Sequence, residues 1–245
     1  MPESPLAGQV AVITGAAKRI GRSIALRLAS EGADIAVNYA TSKSEADELV
    51  ATINATGRRA IAIQADVSKK PEVSKLFAAI ETEFPRLDIL INNAGTFFHA
   101  DFETLTEEQW DRIMNINLKA QFLCAQAAIP MLRHSPSPPA HIVNMSSLGG
   151  LLAWPGYIHY CVSKAGVIHL THCLARALGP QILVNSIAPG TIQFPGEAPD
   201  EDYIRRVPVH HTGTGEDIAD AVAYLVKSNF VTGQILAVDG GRLLV

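Results

Sequence analysis

The chain carries little that would tie it to a membrane, a metal, an oxidising compartment or a polyanion. Its three cysteines, Cys124, Cys161 and Cys173, are an odd number at spacings that fit no disulfide framework, so they read as free thiols of a reducing cytoplasm. No apolar run approaches the roughly 18 residues of a membrane span. No basic, apolar leader opens the chain, so the expected location is the cytoplasm. A net charge of −4 gives no electrostatic case for nucleic acid or an anionic membrane surface. His169 and His172 stand three apart on one predicted helix and His210–His211 lie in a loop, but no thiol or carboxylate pattern completes a metal site, and no metal is expected. No internal repeat or linker divides the 245 residues. The proline-dense stretch His134–Pro139 is short enough for a surface loop.

What is present is a regular alternation. Short Val- and Ile-rich runs predict strands over Val10–Thr14, Asp34–Tyr39, Ala60–Gln64, Ile89–Asn92, His141–Met145, Ile182–Ala188 and Ile235–Val238. Between them, helical patterns cover Arg19–Glu31, Ser44–Ala55, Pro71–Phe84, Glu107–Arg133, Tyr157–Leu178 and Glu216–Val226. Gly32, Gly57 and Gly179 stand at helix exits, where a left-handed residue is expected. Repeated β–α–β units predict one α/β domain over residues 1–245, a doubly wound parallel seven-stranded sheet with helices on both faces. The long irregular stretch Pro189–His211 reads as a lid, with Glu201, Asp202, Arg205 and Arg206 as a charged, solvated turn or, as the alternative, with one of its arginines reading an acidic substrate.

The motif TGAAKRIG, Thr14–Gly21, lies between the first strand and the first helix, where free backbone N–H groups and the helix dipole make an anion site. Gly15 allows the sharp turn and Gly21 the close helix–strand packing. In this architecture an acidic residue about 20 positions on grips the ribose 2′-hydroxyl of NAD. None stands at the end of the second strand; Asn38, Tyr39, Ala40, Thr41, Ser42 and Lys43 do, with Lys18 nearby. Without the carboxylate a 2′-phosphate is not repelled, so the expected cofactor is NADP(H).

Tyr160 and Lys164 are i,i+4 on one predicted helix and share a face. A neighbouring ammonium lowers a phenol's pKa, which would let Tyr160 exchange a proton with a carbonyl oxygen. Ser147 ends the strand-and-turn IVNMSS, where its hydroxyl can hold a substrate carbonyl, and Asn117 is a polar residue in an otherwise apolar helical pattern. Trp154 reads as pocket wall, and Cys161 points off the face of Tyr160.

Over essentially its whole length the chain resembles the short-chain dehydrogenase/reductase family. TGAAKRIG is similar to that family's TGxxxGxG, Asn92–Gly95 (NNAG) to its sheet-stabilising motif, and Asn117, Ser147, Tyr160 and Lys164 to its catalytic tetrad. Asp66–Val67 match its adenine contact, Pro189–Gly190 its nicotinamide-side turn, and Asp239–Gly241 its usual C-terminal motif. The resemblance implies that Tyr160 is the general acid, Lys164 binds the nicotinamide ribose and lowers the tyrosine pKa, Ser147 orients the carbonyl and Asn117 joins the proton relay. It places Ile20, Asn93, Ala94, Gly95, Thr191 and Ile192 among the cofactor contacts, beside Gly15, Lys18, Arg19 and Gly21. It also implies a homotetramer in which Glu107–Arg133 and Tyr157–Leu178 pair across a two-fold axis.

Two substrate classes stay open. Arg19 replaces the middle glycine, a variant similar to pteridine reductases, in which it reaches the pyrophosphate and the substrate edge. Phe97 matches the place where those enzymes stack a pterin. Against this, Ser147 stands where pteridine reductases carry Asp, Thr41 where they place a basic residue, and NNAG where they have NNAS. Ser147 fits ketone reduction as in 3-oxoacyl-carrier-protein reductases, so an NADPH-dependent carbonyl reductase is expected, with dihydropterin reduction as the alternative. A non-catalytic NADP(H) sensor is a third reading, though it would not need the intact tetrad.

Overall fold

A computed structural model describes residues 4–245; the first three positions of the predicted domain, and of the opening read for a leader, lie outside the described residues. Seven parallel strands form one sheet in the order β3-β2-β1-β4-β5-β6-β7. They are β1 (Val10–Ile13), β2 (Asp34–Tyr39), β3 (Ala60–Gln64), β4 (Ile89–Asn92), β5 (Ala140–Met145), β6 (Ile182–Pro189) and β7 (Ile235–Val238). Eight helices accompany them among the described residues: α1 (Arg19–Ser30), α2 (Lys43–Asn54), α3 (Lys70–Glu83), α4 (Glu107–Met114), α5 (Ala120–Arg133), α6 (Ile158–Leu178), α7 (Glu201–Arg206) and α8 (Gly215–Lys227).

The central strand β1 is apolar throughout because both faces are covered. Along β1, Ala11 and Ile13 pack with Ile24 and Leu28 of α1 and Ile218 and Val222 of α8. Val10 and Val12 turn to the opposite layer, among Leu76 and Ile80 of α3 and Leu123 and Cys124 of α5. Strand side chains alternate, so a one-residue slip would exchange the two layers. At the N-terminal end of the sheet the buried Asp88 accepts from the Val10 N–H (2.8 Å) and from two nitrogens of Arg86 (2.7 and 2.6 Å). The Ser135 hydroxyl also donates to it, which pins the proline-dense loop.

The predicted strands and helices are found with ends shifted by a residue or so. Three details differ. The stretch Glu107–Arg133 is not one regular helix: a π-helical turn over Asn115–Lys119 separates α4 from α5. The charged lid segment is a helix, α7, because Asp200 caps it, accepting the Tyr203 N–H at 2.9 Å. Gly32 and Gly57 are left-handed (φ +104° and +82°), but Gly179 is extended (φ −66°, ψ 152°) and leads straight into Pro180.

Candidate active site

The strand order reverses between β1 and β4, and ligands of such sheets bind at that point, outside the carboxyl ends of the strands. Here a cleft of about 1090 Å³ opens. Every sequence-predicted cofactor and substrate residue except Lys43 lines it, from Asp66–Val67 through the glycine turn to Ser147, Tyr160 and Pro189–Ile192.

Gly15 takes φ +60° to make the glycine turn. Asn93 braces it: its side-chain amide donates to Thr14 O (2.8 Å) and Gly15 O (3.1 Å), and its N–H reaches the Thr14 hydroxyl (2.9 Å). Any Cβ at Gly21 would lie 2.6 Å from both Gly15 O and the Asn93 amide nitrogen, so this position admits only glycine. Arg19, the residue in place of the middle glycine, is itself left-handed (φ +54°), a conformation that disfavours side chains. Its guanidinium pairs with Glu197 and lies 4.2 Å over the Phe194 ring, both in the lid.

The end of β2 corrects one expectation. Asn38 lines the cleft but its side chain is buried, and it cannot offer donors to a 2′-phosphate. Its oxygen accepts the Gly15 N–H (3.3 Å), and its amide donates to Ala65 O (3.1 Å) and Ile63 O (3.3 Å). Asn38 therefore ties β2 and β3 to the glycine turn. Lys43 is engaged with Asp47 (2.6 Å), and Lys18 with Glu45 (2.6 Å). Thr41 and Ser42 remain open at the N-terminus of α2. Asp66 keeps its carboxyl below the ordinary range: burial pushes it up, but the Ser68 hydroxyl and N–H and the Lys69 ammonium outweigh that.

The catalytic candidates converge from three elements. Ser147 follows β5, and its hydroxyl accepts the Gly149 N–H at 3.1 Å. Tyr160 and Lys164 project from α6. Lys164 is buried, its Nζ donates to Met145 O at 2.7 Å, and it stands 5.7 Å from the Tyr160 ring centre. Burial pushes its ammonium down to about 8. Burial also pushes the Tyr160 phenol up, and the hydrogen bond with Ser147 opposes this only in part. The phenol therefore stands above its ordinary value, and Lys164 is not among the groups that set it.

Asn117 is the one tetrad residue outside the cleft wall. It sits in the π-helical turn, fully buried, with its oxygen on the Thr96 N–H (2.7 Å) and its amide on Thr96 O (2.9 Å) and the Ser163 hydroxyl (3.2 Å). Its carbonyl takes the Gln121 side chain at 3.0 Å. These bonds tie the irregular segment after Gly95, at Thr96, to α6 at Ser163.

Phe97 is 55% exposed and stacks on Tyr157 (4.5 Å, 3°), edge-on to Tyr160 (4.7 Å, 76°). Trp154 lies parallel to Tyr160 at 6.3 Å. Sequence reasoning missed Tyr157, Phe194, Tyr203 and Arg242 in this wall, and names Arg206 only as one of two lid arginines that could read an acidic substrate. Tyr157 stands three residues before Tyr160, a signal that could have found it; the others come from the lid and C-terminal turn, where no periodicity points. No group of three or more metal-ligating side chains occurs among the described residues, and no helix among them is long and apolar enough to cross a membrane.

A tyrosine, a lysine and a serine gathered beside a glycine turn mark the oxidoreductases of this architecture, and the chain's relatives agree. The family model described as enoyl-(acyl carrier protein) reductase matches residues 15–242. The 3-oxoacyl-[acyl-carrier-protein] reductase FabG of Staphylococcus aureus is 40% identical over 242 residues, covering 96% of this chain and 98% of that one. Among solved structures, a blue fluorescent protein from a metagenomic library, in complex with NADPH, superposes with a TM-score of 0.90 at 36% identity, over 97% of this chain and 99% of that one. A short-chain dehydrogenase from Burkholderia cenocepacia, in complex with NADP, gives 0.91 at 35% identity, over 98% and 99%. The chain belongs to the short-chain dehydrogenase/reductase family.

Proposed function

We propose that the chain is an NADPH-dependent reductase of ketone or 3-oxoacyl substrates, with Tyr160 as general acid. The observation that carries this reading is the gathering of Ser147, Tyr160 and Lys164 in the wall of one cleft beside the glycine turn. A serine hydroxyl and a tyrosine phenol in one cleft wall suit a carbonyl oxygen that gains negative charge and then a proton. When bound, the nicotinamide supplies the hydride. Tyr160 delivers the proton to the carbonyl oxygen, and Ser147 holds that oxygen in place. Lys164, fixed by Met145 O, provides positive charge beside the phenol and a donor for the cofactor ribose.

The residues present fit NADP(H). The Gly15–Gly21 turn and the N-terminus of α1 suit the pyrophosphate. Thr41, Ser42 and Lys18 suit the 2′-phosphate, with Glu45 as the present partner of Lys18. The NADPH and NADP complexes of the structural relatives support the same cofactor.

Dihydropterin reduction is less well supported. Arg19 is engaged by Glu197 and Phe194, and one face of Phe97 is taken by Tyr157. The test is NADPH consumption with an acetoacetyl thioester in one cuvette and a dihydropterin in another. Turnover of the thioester alone is expected; turnover of the pterin alone would replace this reading with the pterin one.

A further inference from the structure

The cations on the cleft wall fall into two groups. Lys18 is tied to Glu45, Arg19 to Glu197, and Lys164 is buried on Met145 O. Arg206 and Arg242 are different. Both line the cleft, and neither forms an ion pair among the described residues. Arg206 spends its Nε on Asp202 O (3.0 Å), and Arg242 spends one terminal nitrogen on Val245 O. Each keeps further guanidinium donors unused.

Their position is set by the fold. Arg206 is one helical turn after Tyr203, whose hydroxyl donates to Asp239 O at 2.8 Å. That hydroxyl also abuts the Pro189–Gly190 turn, since a Cβ on Gly190 would lie 2.4 Å from it. Arg242 follows Gly240 and Gly241, which pack on Val207, Val209 and Pro208 just past α7. The two arginines therefore come from different segments to the lid side of the cleft, away from the glycine turn. Nearby acids are otherwise engaged or few. Asp202 is bound to Arg205, and Asp239 accepts the N–H groups of Gly241 and Leu243, each at 2.9 Å. Asp200, which caps α7, is the acid there that lines the cleft.

Two guanidiniums with no Asp or Glu partner among the described residues, at the rim of a carbonyl-reducing cleft, call for an anion on the substrate. We propose that Arg206 and Arg242 form a substrate anion subsite, so that the preferred carbonyl compound carries a carboxylate or phosphate. This rests on the carbonyl-reductase reading and narrows it. Guanidinium suits both anions through paired N–H donors. A short keto acid would bring its own carboxylate; a carrier-bound acyl group would bring the phosphate of its pantetheine arm.

The experiment compares three substrates at saturating NADPH: acetoacetate, acetoacetyl-4′-phosphopantetheine and the neutral acetoacetyl-N-acetylcysteamine. The wild-type protein is expected to favour one anionic substrate over the neutral one by about tenfold or more in kcat/KM, the range of a charge-assisted contact. Which anion is favoured distinguishes the two sources. Arg206→Gln and Arg242→Gln should each shrink that margin, mainly through KM, and Arg206→Lys should retain most of it. NADPH fluorescence titration reports whether each variant is folded and binds cofactor. A wild-type protein with no anionic margin, or Gln variants that lose the neutral and anionic substrates alike, would overturn the subsite and leave the reductase reading intact. Variants with weakened NADPH binding would also overturn it, by assigning the arginines to the cofactor. No reduction of any of the three would overturn the reductase reading itself.

Discussion

Arg19 and Glu197 are 178 positions apart in the chain and form an ion pair that joins the phosphate turn to the lid. The Arg19 backbone is left-handed and its guanidinium is flat against Phe194. Both partners are substantially exposed, so the pair adds little to global stability. Its effect is local: it fastens one end of a long loop. Glu197→Gln is expected to speed protease cleavage between residues 193 and 200 several-fold while thermal stability changes little. Equal cleavage rates in both proteins would show that the pair does not hold the lid.

Replacing Tyr160 by Phe removes the acid but keeps the ring that packs near Trp154 and Phe97. The expected loss in kcat is about 10²–10⁴-fold, the usual worth of a positioned acid. NADPH should bind as before in a fluorescence titration. Retained turnover would give the proton-donor role to another group.

The perturbed acid–base groups predict the pH behaviour. With the phenol raised by burial, carbonyl reduction should be flat through neutral pH and fall only in alkali, as Tyr160 loses its proton. Alcohol oxidation needs the phenolate and should rise over that same alkaline range. Lys164 affects stability in its own way. Its folded value, about 8, lies below the ordinary 10.5, so between those limits the unfolded chain holds more protons than the folded one. Stability then rises with pH across that window, by at most about 3 kcal/mol. Urea unfolding of wild type and Lys164→Met from pH 7.5 to 10 tests this. The wild type should gain on the variant as pH rises; a constant difference would refute the shift.

Gly21→Ala introduces a methyl where 2.6 Å separates it from Gly15 O and the Asn93 amide. The turn must shift, at a cost of roughly 1–3 kcal/mol, and NADPH affinity should fall with it. A thermal melt beside a fluorescence titration reads both effects.

On the proposed reading, cofactor choice turns on Lys18 and Glu45, which pair at 2.6 Å. Lys18→Ala should reduce kcat/KM for NADPH about tenfold and leave NADH nearly unchanged. Glu45→Gln frees the ammonium and should widen the NADPH preference. Parallel changes with both cofactors would remove Lys18 from the 2′-phosphate site.

Much of this arrangement was legible before any coordinates. The strands are legible because strands buried on both faces are rich in apolar residues, as VAVI in β1 and IAV in β2 illustrate. The cleft residues were legible from TGAAKRIG, NNAG and YCVSK, since short motifs at strand ends report backbone geometry. What escaped depends on three-dimensional neighbours. Asn38 looked like a free donor, but Gly15, Ile63 and Ala65 claim its side chain. Asn117 carries no mark of the π-helical turn around it. The lid concealed α7 because its six residues are mostly charged and show no apolar stripe. Arg206 and Arg242 are 36 positions apart and line one cleft only because the C-terminal turn packs on the segment after α7.

The central claim is that the chain moves hydride from NADPH to a carbonyl carbon while Tyr160 supplies the proton. The most direct measurement uses NADPH deuterated at both C4 positions, an acetoacetyl thioester and mass spectrometry of the product. The account predicts one deuterium on the new carbinol carbon with the wild-type protein, and a product yield lower by orders of magnitude with Tyr160→Phe. Hydroxyacyl product without deuterium, or undiminished product from the variant, would contradict it.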